Sequence, residues 1–132
     1  MRTKEKSLSV LISELDGHFS RFIRKRDTVN GVIKCFTCGT KISFTEAQCG
    51  HFIDRDQMPT RYDEHNCHAV CEECNCYDPH HKAVYHGRML QKYGQEEINR
   101  LDRKSKGLQK FFKFEIEDLI EYYKSENRLK AS

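Results

Sequence analysis

The sequence predicts an α+β protein in which a short, irregular, cysteine-centred core is flanked by helices at both ends. Three observations carry that expectation. Apolar residues recur at three- and four-residue spacing near each end of the 132-residue chain, which marks helices with one buried face. Between those ends, residues 32–76 show no helical periodicity. That same stretch contains all seven cysteines, four of them in two C-x2-C pairs. One domain over residues 1–132 follows, with an N-terminal helix at 7–26, a core at 32–93 and C-terminal helices at 95–128.

Element by element, Leu8, Leu11, Ile12, Leu15, Phe19, Phe22 and Ile23 form the stripe of the first helix. Gly17 falls inside it, at a cost of about 1 kcal/mol relative to Ala. The turn residues of Asp27-Thr-Val-Asn-Gly31 end that helix. Short strands are expected at 32–34 and 41–44, on either side of Cys35-Phe-Thr-Cys38-Gly39, and again at 49–53. Met58-Pro59-Thr60 reads as loop, because Pro supplies no ladder hydrogen bond. After Pro79, the spacing of Val84, Tyr85, Met89, Leu90 and Tyr93 predicts a helix closed by Gly94. Ile98 and Leu101 fit a short helix, and Leu108, Phe111, Phe112, Ile116, Leu119, Ile120 and Tyr123 a final one. Residues 124–132 are polar and expected to fray.

Composition narrows the class. Hydrophobic residues make up 37% of the chain and Trp is absent, so the core is small and in need of a staple. The polar opening MRTKEKS and the lack of a long apolar run argue against a signal peptide or membrane span, so a reducing cytoplasm is expected. An odd number of cysteines in C-x2-C spacing then favours metal over disulfides. The net charge of +3 excludes little. Basic clusters at Arg21, Arg24, Lys25 and Arg26 and at Arg100, Arg103, Lys104 and Lys106 read as solvated helix faces before phosphate contacts.

Cys35, Cys38, Cys71 and Cys74 carry the most specific signal. Each pair brings two thiolates to one ion from a tight knuckle, and two knuckles complete a tetrahedral sulfur shell suited to structural Zn2+. A redox pair would need neither the second pair nor this context, since no βαβ pattern surrounds it. Cys49, Cys67 and Cys76 are left over and read as small buried hydrophobes before ligands, though Cys67 and Cys76 lie close enough to the second knuckle to substitute for a neighbour.

Between the knuckles lies Gly50-His51-Phe52-Ile53, and around the second runs Asn66-Cys-His68-Ala-Val-Cys71-x2-Cys74-Asn75. This arrangement looks like the HNH form of the ββα-metal nuclease site. More narrowly, the series FSRFIRKRD, CFTCG, CGHFI, TRYDEHNCHAVCEECN and Y-x4-L-x2-YG resembles the phage NinG/Rap recombination nucleases, over roughly residues 15–101. The resemblance implies a treble-clef/ββα-metal core and a metal-dependent endonuclease. Its implied substrate is branched recombination DNA, such as Holliday junctions or D-loop-like forms. It also implies catalytic Mg2+ or Mn2+ beside the zinc, and a phage or prophage protein working in a bacterial host.

The residue types suit that chemistry. A neutral imidazole takes a proton from water near pH 7, which makes His51 the expected general base. Asn66 is expected to fix the loop and orient His51, and Asn75 to offer a carbonyl oxygen to a hard cation. Many HNH enzymes carry an acid directly before the base; Gly50 stands there. The second catalytic-metal ligand is therefore sought first in His68, then in His81, Asp54 and Asp63. Arg55 and Arg61 are expected to clamp phosphate. Two other classes stay open: a zinc-stabilised nucleic-acid-binding module that does not cut, and a protein-interaction adaptor. The last helix is assigned either to a homodimer contact or to packing on the N-terminal helix.

Overall fold

The computed structural model describes residues 5–108 and 110–129. It is a mixed α+β structure with two small antiparallel sheets among five helices. Helix α1 spans Leu8–Arg26 and buries Leu11, Leu15, Phe19, Phe22 and Ile23, five members of the predicted stripe. Ser7 caps its start, the hydroxyl accepting from the Val10 amide at 3.3 Å. Its far end is fastened by the next residue: an Asp27 carboxylate oxygen accepts from the Ala69 amide at 2.8 Å. Arg26 adds donations to the carbonyls of Glu64 (2.7 Å) and Cys67 (2.8 Å).

Strands β1 (Thr28–Val29), β2 (Val32–Lys34) and β3 (Lys41–Ile42) form one sheet in that order. The sequence places a turn before β2; the structure makes it a hairpin. Asn30 and Gly31 both take positive φ, +52° and +77°, between the paired Val29 and Val32, as a two-residue type I′ turn requires. A two-residue strand such as β1 carries no periodicity for a sequence pattern to register. Strand β4 (Gln48–His51) pairs with β5 (Cys67–Val70) in a second sheet, matching Gln48 with Val70 and His51 with Cys67.

The connection between β4 and β5 departs from expectation. Residues expected as loop form a short helix, α2 (Met58–Arg61), with Pro59 in its first turn, where a missing amide costs nothing. A single 3-10 turn, Glu64–Asn66, leads into β5. After β5, a π-helical segment, Glu73–Tyr77, carries the second half of the Cys71 knuckle. Helices α3 (His81–Tyr93) and α4 (Gln95–Ser105) follow, divided by Gly94 at φ +89° as predicted.

Helix α5 covers Lys113–Leu129 and packs along α1 more extensively than any other pair of elements among the described residues. Ile116, Ile120 and Tyr123 join the α1 stripe, Tyr62 and Cys67 in one apolar cluster. Packing on the N-terminal helix, one of the two roles considered for this helix, is observed. It also starts later and ends later than its pattern suggested. Leu108 is 96% exposed and Phe112 64% exposed, both outside the helix. The expected fraying from residue 124 is corrected as far as Leu129: Asn127 Nδ2 donates to the His18 carbonyl, and Lys25 Nζ donates to the Asn127 backbone carbonyl. Residues 130–132 lie outside those described.

A second cluster gathers Cys35, Val70, Cys74, Tyr85, Met89, Ile98 and Leu101 around the knuckles. Two α1 variants separate packing from propensity. Leu15 has no exposed surface, so Leu15→Ala is expected to lose about 2–5 kcal/mol. An added Cβ at the exposed Gly17 meets nothing within 4 Å, so Gly17→Ala gains up to about 1 kcal/mol. Thermal unfolding checks both, with a fall in Tm for the first and a rise for the second.

Candidate functional site

The four knuckle cysteines come together as their spacing predicts. The sulfurs of Cys35, Cys38, Cys71 and Cys74 all lie within 4.8 Å of one another, with Cys38 and Cys71 at 3.8 Å. Backbone amides point at them: Cys71 N–H at Cys35 Sγ (3.3 Å) and Cys74 N–H at Cys71 Sγ (3.5 Å). Burial opposes a thiolate at Cys35, but the Thr37 hydroxyl and the amides of Cys38, Cys71 and Thr37 outweigh it and bring the thiol to about 6. Cys74 is pushed up to about 12, by burial first and then by the sulfurs around it. One thiolate already favoured, beside thiols that repel further negative charge, is a donor set that a central dication completes. The cluster can hold a structural metal such as zinc.

An open cavity of about 590 Å³ contains His51, at the end of β4. Asp54, Arg55, Asn75, His81 and Lys82 line it, together with Asp16 and Arg24 from the α1 side. His51 Nε2 lies 3.0 Å from the Arg61 carbonyl. A carbonyl only accepts, so Nε2 carries the hydrogen and the neutral ring keeps its lone pair on Nδ1. Burial chiefly, with the Arg61 and Arg55 charges, holds the His51 pKa below the ordinary imidazole value. The residue is therefore neutral and basic at one defined nitrogen.

Asn66 fixes the loop as expected, but reaches His51 only indirectly. Its Oδ1 accepts from the Ile53 amide (2.8 Å), and its Nδ2 donates to the carbonyls of Ile53 (3.0 Å) and Thr60 (3.2 Å). Lys82 adds a clamp that the sequence did not suggest, donating to the carbonyls of His51 (3.0 Å) and Phe52 (2.8 Å). Asn75 follows Cys74 into the cavity, where its Nδ2 donates to Gln48 Oε1 at 2.8 Å. Its own Oδ1 has no partner among the described residues.

Three expected roles do not survive the geometry. His68 is buried away from this cavity, stacked on Phe36 with ring centroids 3.9 Å apart. Tyr85 donates its hydroxyl hydrogen to the Gly50 carbonyl (2.8 Å), so at 3.0 Å it must accept from His68 Nδ1. Tyr93 then donates to Nε2 at 2.8 Å. Burial, aided by Arg26, drives the His68 pKa to about 2. Both nitrogens are engaged, and no lone pair remains for a cation. Arg61 is likewise committed, with Nε 3.0 Å and Nη2 2.5 Å from the two Asp16 oxygens and Nη1 donating to the Arg55 carbonyl. Asp63 is engaged by Arg100 and Lys104.

Other candidates take those places. His81 begins α3 on the same face as the buried Tyr85 and Met89, and its Nε2 is buried without a partner. That i, i+4, i+8 relation was the available signal, masked by the distance of His81 from the second knuckle. The Arg55 guanidinium makes no hydrogen bond or ion pair among the described residues, so of the two arginines expected to clamp phosphate it is the one free to meet an anion. Asp54 pairs with Lys82 at 3.0 Å on an open surface. The basic clusters mostly read as the bland alternative: Arg24 bonds the Phe44 carbonyl, Arg100 and Lys104 hold Asp63, and Lys106 holds Asp102.

Gly50 also gains a reason. A Cβ there would lie 2.7 Å from Val70 Cγ2 and 3.4 Å from the His68 carbonyl. Strand alternation points that position away from the face of His51. An acid at residue 50 would clash with Val70 and face away from the cavity.

Comparison with known proteins adds one match. The family model described as Bacteriophage Lambda NinG protein matches residues 1–131. No curated protein and no solved structure matches the chain. No helix among the described residues is long and apolar enough to cross a membrane.

Metal removal tests the cysteine cluster. Chelation under reducing conditions is expected to lower Tm sharply and to be reversed by added zinc. Cys38→Ser is expected to reproduce the loss, since Cys38 is exposed and its thiol is not needed for packing. An unchanged Tm on chelation of a zinc-containing sample would exclude a stapling role.

Proposed function

This chain belongs to the NinG family, and from that premise we propose that it is a divalent-metal-dependent DNA endonuclease of the HNH type. Its proposed substrates are branched recombination intermediates, Holliday junctions or D-loop-like DNA, met as a phage or prophage protein in the cytoplasm of a bacterial host. The observation that carries the reading is the state of His51: one nitrogen hydrogen-bonded to a backbone carbonyl, the other left as a base in an open cavity. In this reading β4, β5 and α3 form the ββα-metal unit, and the zinc-filled knuckles form its treble-clef scaffold.

His51 Nδ1 takes a proton from water as the oxygen attacks phosphorus. Arg55, unpaired at the cavity edge, offsets the charge that grows on the phosphate. Lys82 holds the backbone of His51 and Phe52, and Asn66 holds the turn behind them, so the base keeps its aim. Mg2+ or Mn2+, when bound, supplies further charge neutralisation at the scissile phosphate and the leaving oxygen. Asn75 Oδ1 and His81 Nε2 would hold it, with Asp54 within the same cavity. So few protein donors suit a cation that keeps several waters and takes phosphate oxygens as ligands.

A second reading, a zinc-stabilised module that binds nucleic acid without cutting, draws on Gly50, which cannot be replaced by a metal-binding acid in this packing. The two separate on a labelled four-way junction in Mg2+ or Mn2+. Wild-type protein is expected to cleave and His51→Ala to bind without cleaving, with a rate loss of about 10²–10⁴-fold. Tight, salt-sensitive binding by both with cleavage by neither supports the module instead. Two copies of the chain would account for paired cuts.

The lowered pKa of His51 sets the expected pH dependence. The base is lost only as pH falls through its folded value, so the acid limb of the cleavage profile lies below about pH 6.5, the ordinary imidazole value. A limb at or above that value argues against His51. His81→Ala is expected to raise the Mg2+ or Mn2+ concentration needed for half-maximal rate. His68→Gln is expected to lower Tm and leave that concentration unchanged. The opposite pattern would restore His68 as the ligand.

A further inference from the structure

Strands β4 and β5 place two thiols beside the His51 imidazole. Alternation along β4 puts Cys49 on the face of His51, and the ladder sets His51 opposite Cys67. A ring nitrogen of His51 and the sulfurs of Cys49 and Cys67 all lie within 4.8 Å of one another. Cys49 and His51 line the open cavity, while Cys67 is fully buried. No disulfide joins the thiols.

This donor set differs in kind from the knuckle cluster. Four sulfurs close a shell; two sulfurs and an imidazole leave the fourth position to solvent. Zinc bonds of about 2.0–2.3 Å require donors about 3.5–3.8 Å apart, so the partly exposed side chains of Cys49 and His51 have a short distance to close. We propose that Cys49, His51 and Cys67 form a second metal site, for a thiophilic divalent cation of the zinc type, and that filling it withdraws His51 from its role as base.

Binding releases the two thiol protons to solvent and forms two metal–sulfur bonds and one metal–nitrogen bond. A neutral imidazole has one ring lone pair. Whichever nitrogen donates it to the ion, the other carries the hydrogen, and no basic site remains. Hard cations do not compete well for two sulfurs, so Mg2+ at Asn75 and His81 leaves the thiol site unfilled. The withdrawal of His51 rests on the nuclease reading; the site itself does not.

The test adds Co2+ to zinc-loaded protein under reducing conditions. Zinc outranks cobalt in affinity, so the knuckle keeps its metal, and metal analysis verifies this. One further equivalent of Co2+ is expected to give tetrahedral visible bands and a thiolate-to-metal charge-transfer band. Cys49→Ser, a near-isosteric change at a partly exposed position, loses both, and Cys67→Ser does the same where it folds. No charge transfer in folded wild type, or a full band in Cys49→Ser, overturns the site. In a separate assay, Zn2+ beyond the knuckle equivalent is expected to slow junction cleavage about a hundredfold, the low end of a general base's contribution, and to spare Cys49→Ser. Equal inhibition of both proteins overturns the switching role. Wild type that binds Co2+ but never cuts DNA keeps the site and refutes the nuclease.

Discussion

The ladder between β4 and β5 is the constraint on which the rest depends. Its register sets His51 opposite Cys67 and Gly50 opposite His68, and a one-residue slip would turn His51 into the core. Several independent ties fix that register. Asp27 accepts from the Ala69 amide, Tyr85 donates to the Gly50 carbonyl, and Phe52 N–H donates to the Asn66 carbonyl at 2.8 Å. The last residue of β5, Val70, abuts Cys71 of the knuckle. A metal held by the cysteines would therefore anchor one end of the same two strands that present the imidazole at the other.

Electrostatics divide this small chain into committed charges and free ones. Arg26, Arg61, Arg100 and Lys104 all hold partners within the fold. Asp16 is a central partner on the cavity side, since the Tyr62 hydroxyl donates to the same carboxylate that Arg61 grips. That arrangement is structural: it ties α1 to α2 and fixes the Arg61 carbonyl, which in turn selects the tautomer of His51. Arg61 thus acts on the His51 ring through its backbone and its charge, while Arg55 next to it in the cavity region is left unpaired.

Much of this was legible in the sequence, for physical reasons that differ by residue. The knuckles could be read because metal geometry demands fixed spacing, and α1 because a long amphipathic stripe has little other explanation. Asn66 and Asn75 are singled out by the resemblance to the HNH pattern; the fold places the first behind the loop after β4 and the second in the His51 cavity. What pattern could not supply was direction. His68 and His51 both sit on strands of one sheet, yet the neighbours of His68 are Phe36 of the first knuckle and Tyr85 and Tyr93 of α3, residues from two distant segments. Likewise, Arg61 and Arg55 are equivalent by type, and only the fold brings Asp16 to one of them. The start of α5 failed for another reason. Leu108 and Phe112 continue an apolar spacing without being buried, so hydrophobic periodicity overran the helix it described.

The leftover cysteines show the limit of reading residues by elimination. Cys49 and Cys67 have no partner at knuckle spacing, so sequence treats them as small apolar fillers, and Cys67 does sit in the main cluster. Pairing across a ladder is invisible to spacing along a chain. Once β4 and β5 are joined, these thiols and His51 become neighbours, and the same alternation that turns Gly50 toward Val70 turns Cys49 toward the base. A fold that aims an imidazole into a cavity from a cysteine-bearing ladder cannot keep that base chemically isolated. Under the two proposals, the preference of hard cations for oxygen and of zinc-like cations for sulfur decides which chemistry the site meets.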